Sequence, residues 1–426
     1  MKLALFGFLL LLELNYGLFA DSIDSFHVRS EGEVEYHQLL KSIPNKNEVE
    51  KTLYLNLRRF PRPGAPVIVI SHAVVLNNLA MSTLGKYFWQ AGYDVWMPNM
   101  RAHGNGEELS RMEPYHPGDY HFDQIVSVDL PLVANYITEK TGKKINIVGY
   151  SMGGMTWEQY LSGVYFDGKH MNQSDELALK RAKKVASFTA LTVPMDLSEI
   201  NPTVKKLLSP CLQWFRNYRV TIPFTTSSSS QAKFSLMTYT EWARRFILSF
   251  VTPFLPPILP DGIIEAQNGA PGEFDRLVKQ QISSPHCDFV GDLVSWFEGD
   301  YESLDGKVNY GLNKRVMVPT LMIYASEDQL APPEYCLNKS ELYPKEAEAR
   351  RILIKGFSHI DISFAKALPL VGASVTKFVK NPGSLCAANE LIILEGNTDD
   401  LASIQISEKS ALAVLGLVFI LAYSLY

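Results

Sequence analysis

The run 145–156, INIVGYSMGGMT, sets Ser151 between Gly149 and Gly153. A serine hydroxyl is a weak nucleophile until a base takes its proton. Histidine can be that base, and a carboxylate behind it fixes the ring's tautomer and orientation. Both residue types follow late in the chain. Asp328 lies in VPTLMIYASEDQLAPPE (318–334) and His359 in RRILIKGFSHIDIS (350–363). Together these residues would perform acyl transfer: Ser151 as nucleophile, His359 as general base and then acid, Asp328 as orienting carboxylate. Glu327 and Asp361 are the rival carboxylates, and position just past a strand end favours Asp328.

The tetrahedral intermediate of such a reaction needs backbone N–H donors. The amide of Met152, the residue after the serine, is one candidate. The loop after an early strand supplies the other in VIVISHAVVLNN (67–78): the Val74 amide, with Ala73 as the alternative, and His72 either orienting the loop or simply buried.

A Gly-x-Ser-x-Gly pattern alone says little, since average Gly and Ser usage produces one in roughly one chain in eight of this size. Its context carries the weight, because a nucleophile on a sharp turn must follow a strand and open a helix. The apolar run before Gly149 reads as a strand, and the residues from Gly154 onward read as a helix.

Short β-branched runs at 52–57, 66–71, 94–97, 144–148, 185–191, 320–325 and 351–354 read as strands. Residues 124–141, 155–161 and 360–380 have helical spacing. Strands alternating with helices predict an α/β fold with a mostly parallel sheet. The interval 194–318 breaks this rhythm and is rich in proline and aromatic residues, as in EWARRFILSFVTPFLPPILPDG. A structureless loop of that length is improbable in a compact domain, so a largely helical cap or lid is expected there. Its aromatic side chains, Trp214, Phe215, Tyr218 and Phe224 among them, fit packing within the cap as well as a lining for an apolar ligand.

The composition is that of a globular protein, 46% hydrophobic and 20% charged over 426 residues. With a net charge of -5 it carries no basic field to attract nucleic acid. His103, His116, Asp119, His121 and Asp123 cluster without regular metal-ligand spacing and read as a solvated loop. The expected chemistry requires no metal and no organic cofactor.

Both ends resemble targeting signals. Residues 1–20, with an early lysine, a Leu/Phe-rich stretch and small residues near the end, fit a secretory signal peptide, with a buried N-terminal helix as the alternative. Residues 401–426 form a polar spacer and an apolar tail, ALAVLGLVFILAYSLY, in the order of a GPI-attachment signal. A retained short membrane helix and a buried helix are the alternatives. Asn172 and Asn338 open glycosylation sequons. Cys211, Cys287, Cys336 and Cys386 allow two disulfides in an oxidising compartment, in three connectivities that the sequence does not separate.

One resemblance joins these observations. The segments HAVV, GYDVWMPNMRAHGN and FDQIVSVDLPLVANYITEKTGKKINIVGYSMGG resemble the acid lipase family, which includes gastric and lysosomal lipases of the α/β-hydrolase fold. The similarity is strongest over 66–160 and returns at 319–364. It implies hydrolysis of fatty-acyl esters beneath a cap, and gives Ser151, Asp328, His359, Val74 and Met152 the same roles. The chain departs from the family pattern at His72-Ala73, where the family has His-Gly, and at Tyr150-Ser151-Met152, where it has His-Ser-Gln.

The expected organisation is a signal peptide at 1–20, a first core part at 21–193, a cap at 194–318, a second core part at 319–400 and the tail at 401–426. The expected partner is a lipid or small ester, met at a lipid interface; the sequence sets no oligomeric state. An esterase, thioesterase or peptidase acting on a non-lipid substrate, and a non-catalytic surface binding protein of the same fold, are the other readings.

Overall fold

The computed structural model describes residues 22–43, 50–74, 76–114, 119–195, 276, 281, 287–297, 299, 301–311, 315–338, 342–364, 366–382 and 391–395. Most of the expected cap, both terminal signals, Cys211 and Cys386 lie outside the described residues, as do the side chains of Cys287 and Asn338. Cys336 is buried.

The strands, in chain order, are β1 (Ser25–Glu31), β2 (Val34–Ile43), β3 (Lys51–Phe60), β4 (Val67–Ser71), β5 (Asp94–Pro98), β6 (Arg111–Glu113), β7 (Ile145–Tyr150), β8 (Val164–Phe166), β9 (Met171–Gln173), β10 (Val185–Leu191), β11 (Thr320–Ala325), β12 (Arg350–Ile354) and β13 (Leu391–Leu394). One 11-stranded sheet runs in the order β1-β2-β3-β5-β4-β7-β10-β11-β12-β13, with β6 beside β3. From β5 to β13 every neighbouring pair is parallel. The β1–β2–β3 end is antiparallel, and β3 joins β5 antiparallel.

The expected mostly parallel α/β sheet is thus present. Its central strands are buried on both faces, which is why they read as continuous apolar runs. Alternation still sorts their side chains. Val67, Val69 and Ile147 join one core with Trp157 and Phe188, while Ile68, Ile70 and Val148 join the other with Phe88 and Phe378.

Helices cover both faces: α1 (Ser82–Gln90), α2 (Leu130–Thr141), α3 (Met152–Leu161), α4 (Asp175–Ala182), α5 (Cys287–Phe297), α6 (Pro333–Asn338) and α7 (Leu368–Lys380). The helix expected from 124 begins two residues earlier, and a π turn over Ile125–Asp129 leads into α2. Pro131, which has no N–H to donate, sits in the first turn of α2 just past that irregularity. The helix expected over 360–380 divides into a short 3₁₀ turn, Asp361–Ser363, and α7. Pro369 explains the division, because its missing N–H suits the first turn of a new helix better than the interior of a long one.

Candidate active site

β7 runs to Tyr150, and Ser151 turns the chain into α3. Ser151 has φ 51° and ψ −122°, a conformation that costs a side-chain-bearing residue on the order of 1–3 kcal/mol. Close packing holds it there. A Cβ on Gly149 would lie 2.4 Å from the Gly154 Cα, one on Gly154 would lie 2.0 Å from Val193 Cγ2, and one on Gly153 would lie 2.7 Å from the Ser71 carbonyl oxygen. Strand, helix and the end of β4 therefore meet only because these positions lack side chains. The Ser151 N–H donates to the Leu191 carbonyl at 2.9 Å, which ties the turn to β10.

The late carboxylate and histidine arrive from the ends of β11 and β12. His359 Nε2 lies 2.9 Å from Ser151 Oγ, and its Nδ1 lies 2.8 Å from Asp328 Oδ2. The other oxygen of Asp328 accepts the N–H groups of Leu330 and Ala331 at 2.9 and 2.8 Å. With the carboxylate so held, Nδ1 of His359 is the donor and Nε2 faces the hydroxyl as the acceptor, the tautomer a general base needs. Tyr150 steadies the histidine from below. Its ring stacks on that of His359 at 5.8 Å, and its hydroxyl donates to the His359 carbonyl at 2.8 Å. Burial pushes the Tyr150 phenol well above its ordinary pKa, so it remains a donor.

The rival carboxylates are engaged elsewhere. Glu327 is exposed and accepts from Ser326 Oγ, and Asp361 accepts from the N–H and hydroxyl of Ser358.

At the candidate oxyanion loop, Met152 opens α3, where first-turn N–H groups have no intrahelical acceptor. Gly154 and Met155 donate to the Ser151 carbonyl, and the Met152 amide lies ahead of them at the positive end of the helix. Val74 follows β4 and packs against the core cluster that contains Met152. His72 is fully buried; its Nε2 accepts the Met100 N–H at 3.1 Å, so its Nδ1 carries the proton given to the Ala73 carbonyl at 2.9 Å.

The solvated loop expected around 103–123 is corrected by the structure. His103 is buried, with Nε2 against the Val74 carbonyl. Asp119 pairs with Lys51 at 2.9 Å, His121 Nδ1 lies 2.9 Å from Asp292, and the buried Asp123 accepts from the Tyr310 hydroxyl at 2.5 Å. His116 lies outside the described residues. These side chains meet partners far along the chain, which local spacing does not reveal. Among the described residues no group of three or more His, Cys, Asp and Glu is arranged to hold a metal ion. The Asn172 side-chain amide donates to Asp167 at 2.7 Å. No helix among the described residues is long and apolar enough to cross a membrane.

Residues 66–365 match the model of the alpha/beta hydrolase fold family. The chain belongs to this family. Gastric triacylglycerol lipase of Rattus norvegicus is 35% identical to this alpha/beta hydrolase over 101 residues, covering 21% of the chain and 25% of that protein. Lipase member M of Homo sapiens is 33% identical over 116 residues, covering 23% of the chain and 27% of that protein. This hydrolase therefore aligns with about a quarter of the length of these curated relatives. A solved structure of a thermophilic esterase from Thermogutta terrifontis is similar to it with a TM-score of 0.49 and 13% identity, over 80% of this chain and 98% of that one.

Proposed function

We propose that this alpha/beta hydrolase cleaves carboxylic esters of lipids, acyl glycerols or steryl esters, through a serine acyl-enzyme. The observation that most supports this reading is the line of hydrogen bonds from Asp328 through His359 to Ser151 on its strained turn. Ser151 Oγ attacks the ester carbonyl carbon while His359 Nε2 takes its proton. The amides of Met152 and Val74 hold the negative oxygen of the tetrahedral intermediate. As the intermediate collapses, His359 returns the proton to the leaving alcohol. Water, deprotonated by His359, then attacks the acyl-enzyme carbonyl, and His359 returns that proton to Ser151 Oγ as the fatty acid is released.

The lipid class draws on two further supports. The relatives are named as lipases, and the proline- and aromatic-rich residues 194–318 suit a cap over an apolar channel. Action at a lipid surface after passage through the secretory pathway fits the leader-like 1–20 and the tail at 401–426. Delivery to the cell exterior or surface is the first destination, and a lysosome or vacuole the second.

A series of p-nitrophenyl esters from two to sixteen carbons, assayed beside a triacylglycerol emulsion, tests the substrate class. Each buried CH₂ contributes about 0.8 kcal/mol, so kcat/KM is expected to climb with chain length until the channel is filled. A steady fall with length contradicts the lipid reading.

A further inference from the structure

The Val74 amide is useful as an oxyanion donor only if it points one way, and loop backbone is the least constrained part of a fold. Two buried histidines remove that freedom. In a trans peptide the C=O and the following N–H lie in one plane and point oppositely. The bond from His72 Nδ1 to the Ala73 carbonyl therefore fixes the plane that contains the Val74 N–H. The Leu76 N–H donates to the same carbonyl at 3.1 Å. The contact from His103 Nε2 to the Val74 carbonyl fixes the next plane. With the planes on both sides held, φ and ψ of Val74 are set, and so is the direction of its amide.

We propose that His103 is a positioning residue that holds the candidate oxyanion loop through the Val74 carbonyl and acts on catalysis only through that loop. The inference rests on the ester-hydrolase reading above. His103 is itself on a firm base. Its own carbonyl accepts the Ser110 N–H at 2.9 Å, and the neighbouring Arg101 guanidinium pairs with the buried Asp129. The two imidazoles pack with centroids 4.9 Å apart. Burial, together with the neighbouring ring in the case of His72, pushes both below the ordinary histidine range, so each is neutral. A neutral ring has one N–H. His103 presents Nδ1 to the Arg101 carbonyl and Nε2 to the Val74 carbonyl, and the proposed role requires the proton on Nε2.

This geometry separates two polar substitutions. The amide nitrogen of Gln reaches about where Nε2 stands, whereas that of Asn reaches only the Nδ1 position. His103→Asn is expected to lower kcat tenfold or more with KM within about twofold, since loss of an oxyanion donor outright costs about 10²–10³. Its affinity for a trifluoromethyl ketone, whose adduct carries the oxyanion, is expected to fall in parallel. His103→Gln is expected to recover most of both. Circular dichroism and thermal melting confirm that each variant is folded. Equal activity of the two folded variants, or a loss confined to melting temperature, overturns the role of His103 while leaving the proposed function standing. An unaltered protein that neither cleaves esters nor binds the ketone overturns the proposed function, and this inference with it.

Discussion

Two parts of this molecule contain the same kinds of side chain and differ in what those side chains are arranged to do. At the elbow, Asp328, His359 and Ser151 form a line. It ends on a hydroxyl held at φ 51° by glycine contacts. Where the chain enters the π turn, which packs on the elbow helix, His121 meets Asp292 and Asp123 meets Tyr310. There the second oxygen of each carboxylate accepts a backbone N–H, from Phe122 and from Leu304. No residue of this second cluster stands on a strained turn, and its bonds join α5 and the segment around 301–311 to the core. Under the proposed function, a nucleophile, more than a histidine-carboxylate pair, separates a reactive cluster from a fastening one.

The comparison is sharpest at the two carboxylates beside histidines. Asp328→Asn is expected to lower kcat about 10⁴-fold with little change in fold, because the ring loses the partner that sets its tautomer. Asp292→Asn is expected to leave kcat/KM within about threefold and to cost about 1–3 kcal/mol of stability, read by urea denaturation. Similar kinetic losses in both variants would dissolve the distinction.

The two regions also use glycine differently. Gly154→Ala forces a methyl to within 2.0 Å of Val193 Cγ2 and is expected to destabilise by about 2–4 kcal/mol. Gly291, in α5, has nothing within 4 Å of its Cβ position, and Gly291→Ala is expected to stabilise by about 0.5–1 kcal/mol through helix propensity. Parallel urea titrations compare them, and equal effects would show that the elbow is not closely packed.

The smallest effect concerns pH. Burial raises the Asp123 carboxyl to about 6 from 3.8, against the opposing hydrogen bonds of Tyr310 and Leu304. The folded chain thus holds that proton more tightly than the unfolded one. Its contribution is full below about pH 4 and is lost as pH rises through about 6, on the order of 3 kcal/mol. His121 acts in the same direction. Burial disfavours its cation, but the hydrogen bond and charge of Asp292 outweigh this and raise its pKa, so its contribution is also lost as pH rises through the folded value. Asp123→Asn is expected to flatten the dependence of unfolding free energy on pH between about 4 and 6. An unchanged slope would remove Asp123 from the account.

The same contrast explains what could be read from the sequence. The central strands were legible because burial on both faces leaves unbroken β-branched runs, and β10 and β11 have the expected ends. The elbow was legible because close packing demands glycine at fixed spacing, and the strand-end positions of Asp328 and His359 followed from reading the strands. The antiparallel β1–β2 pair was not, since every residue of β1 is exposed and its apolar alternation stops after Phe26 and Val28. Nor was the fastening cluster, whose partners lie 170 to 187 residues apart along the chain. His103 was misread for the same reason, because its Nε2 meets the Val74 carbonyl, 29 residues earlier in the chain.

The central claim is that Ser151 is an activated nucleophile. Treating the folded protein with a fluorophosphonate and mapping the adduct by peptide mass spectrometry tests it directly. The account predicts a single adduct on the peptide containing Ser151, lost in Ser151→Ala and strongly slowed in His359→Ala. A folded protein that takes no label, or takes it at another residue with Ser151 unmodified, would contradict it.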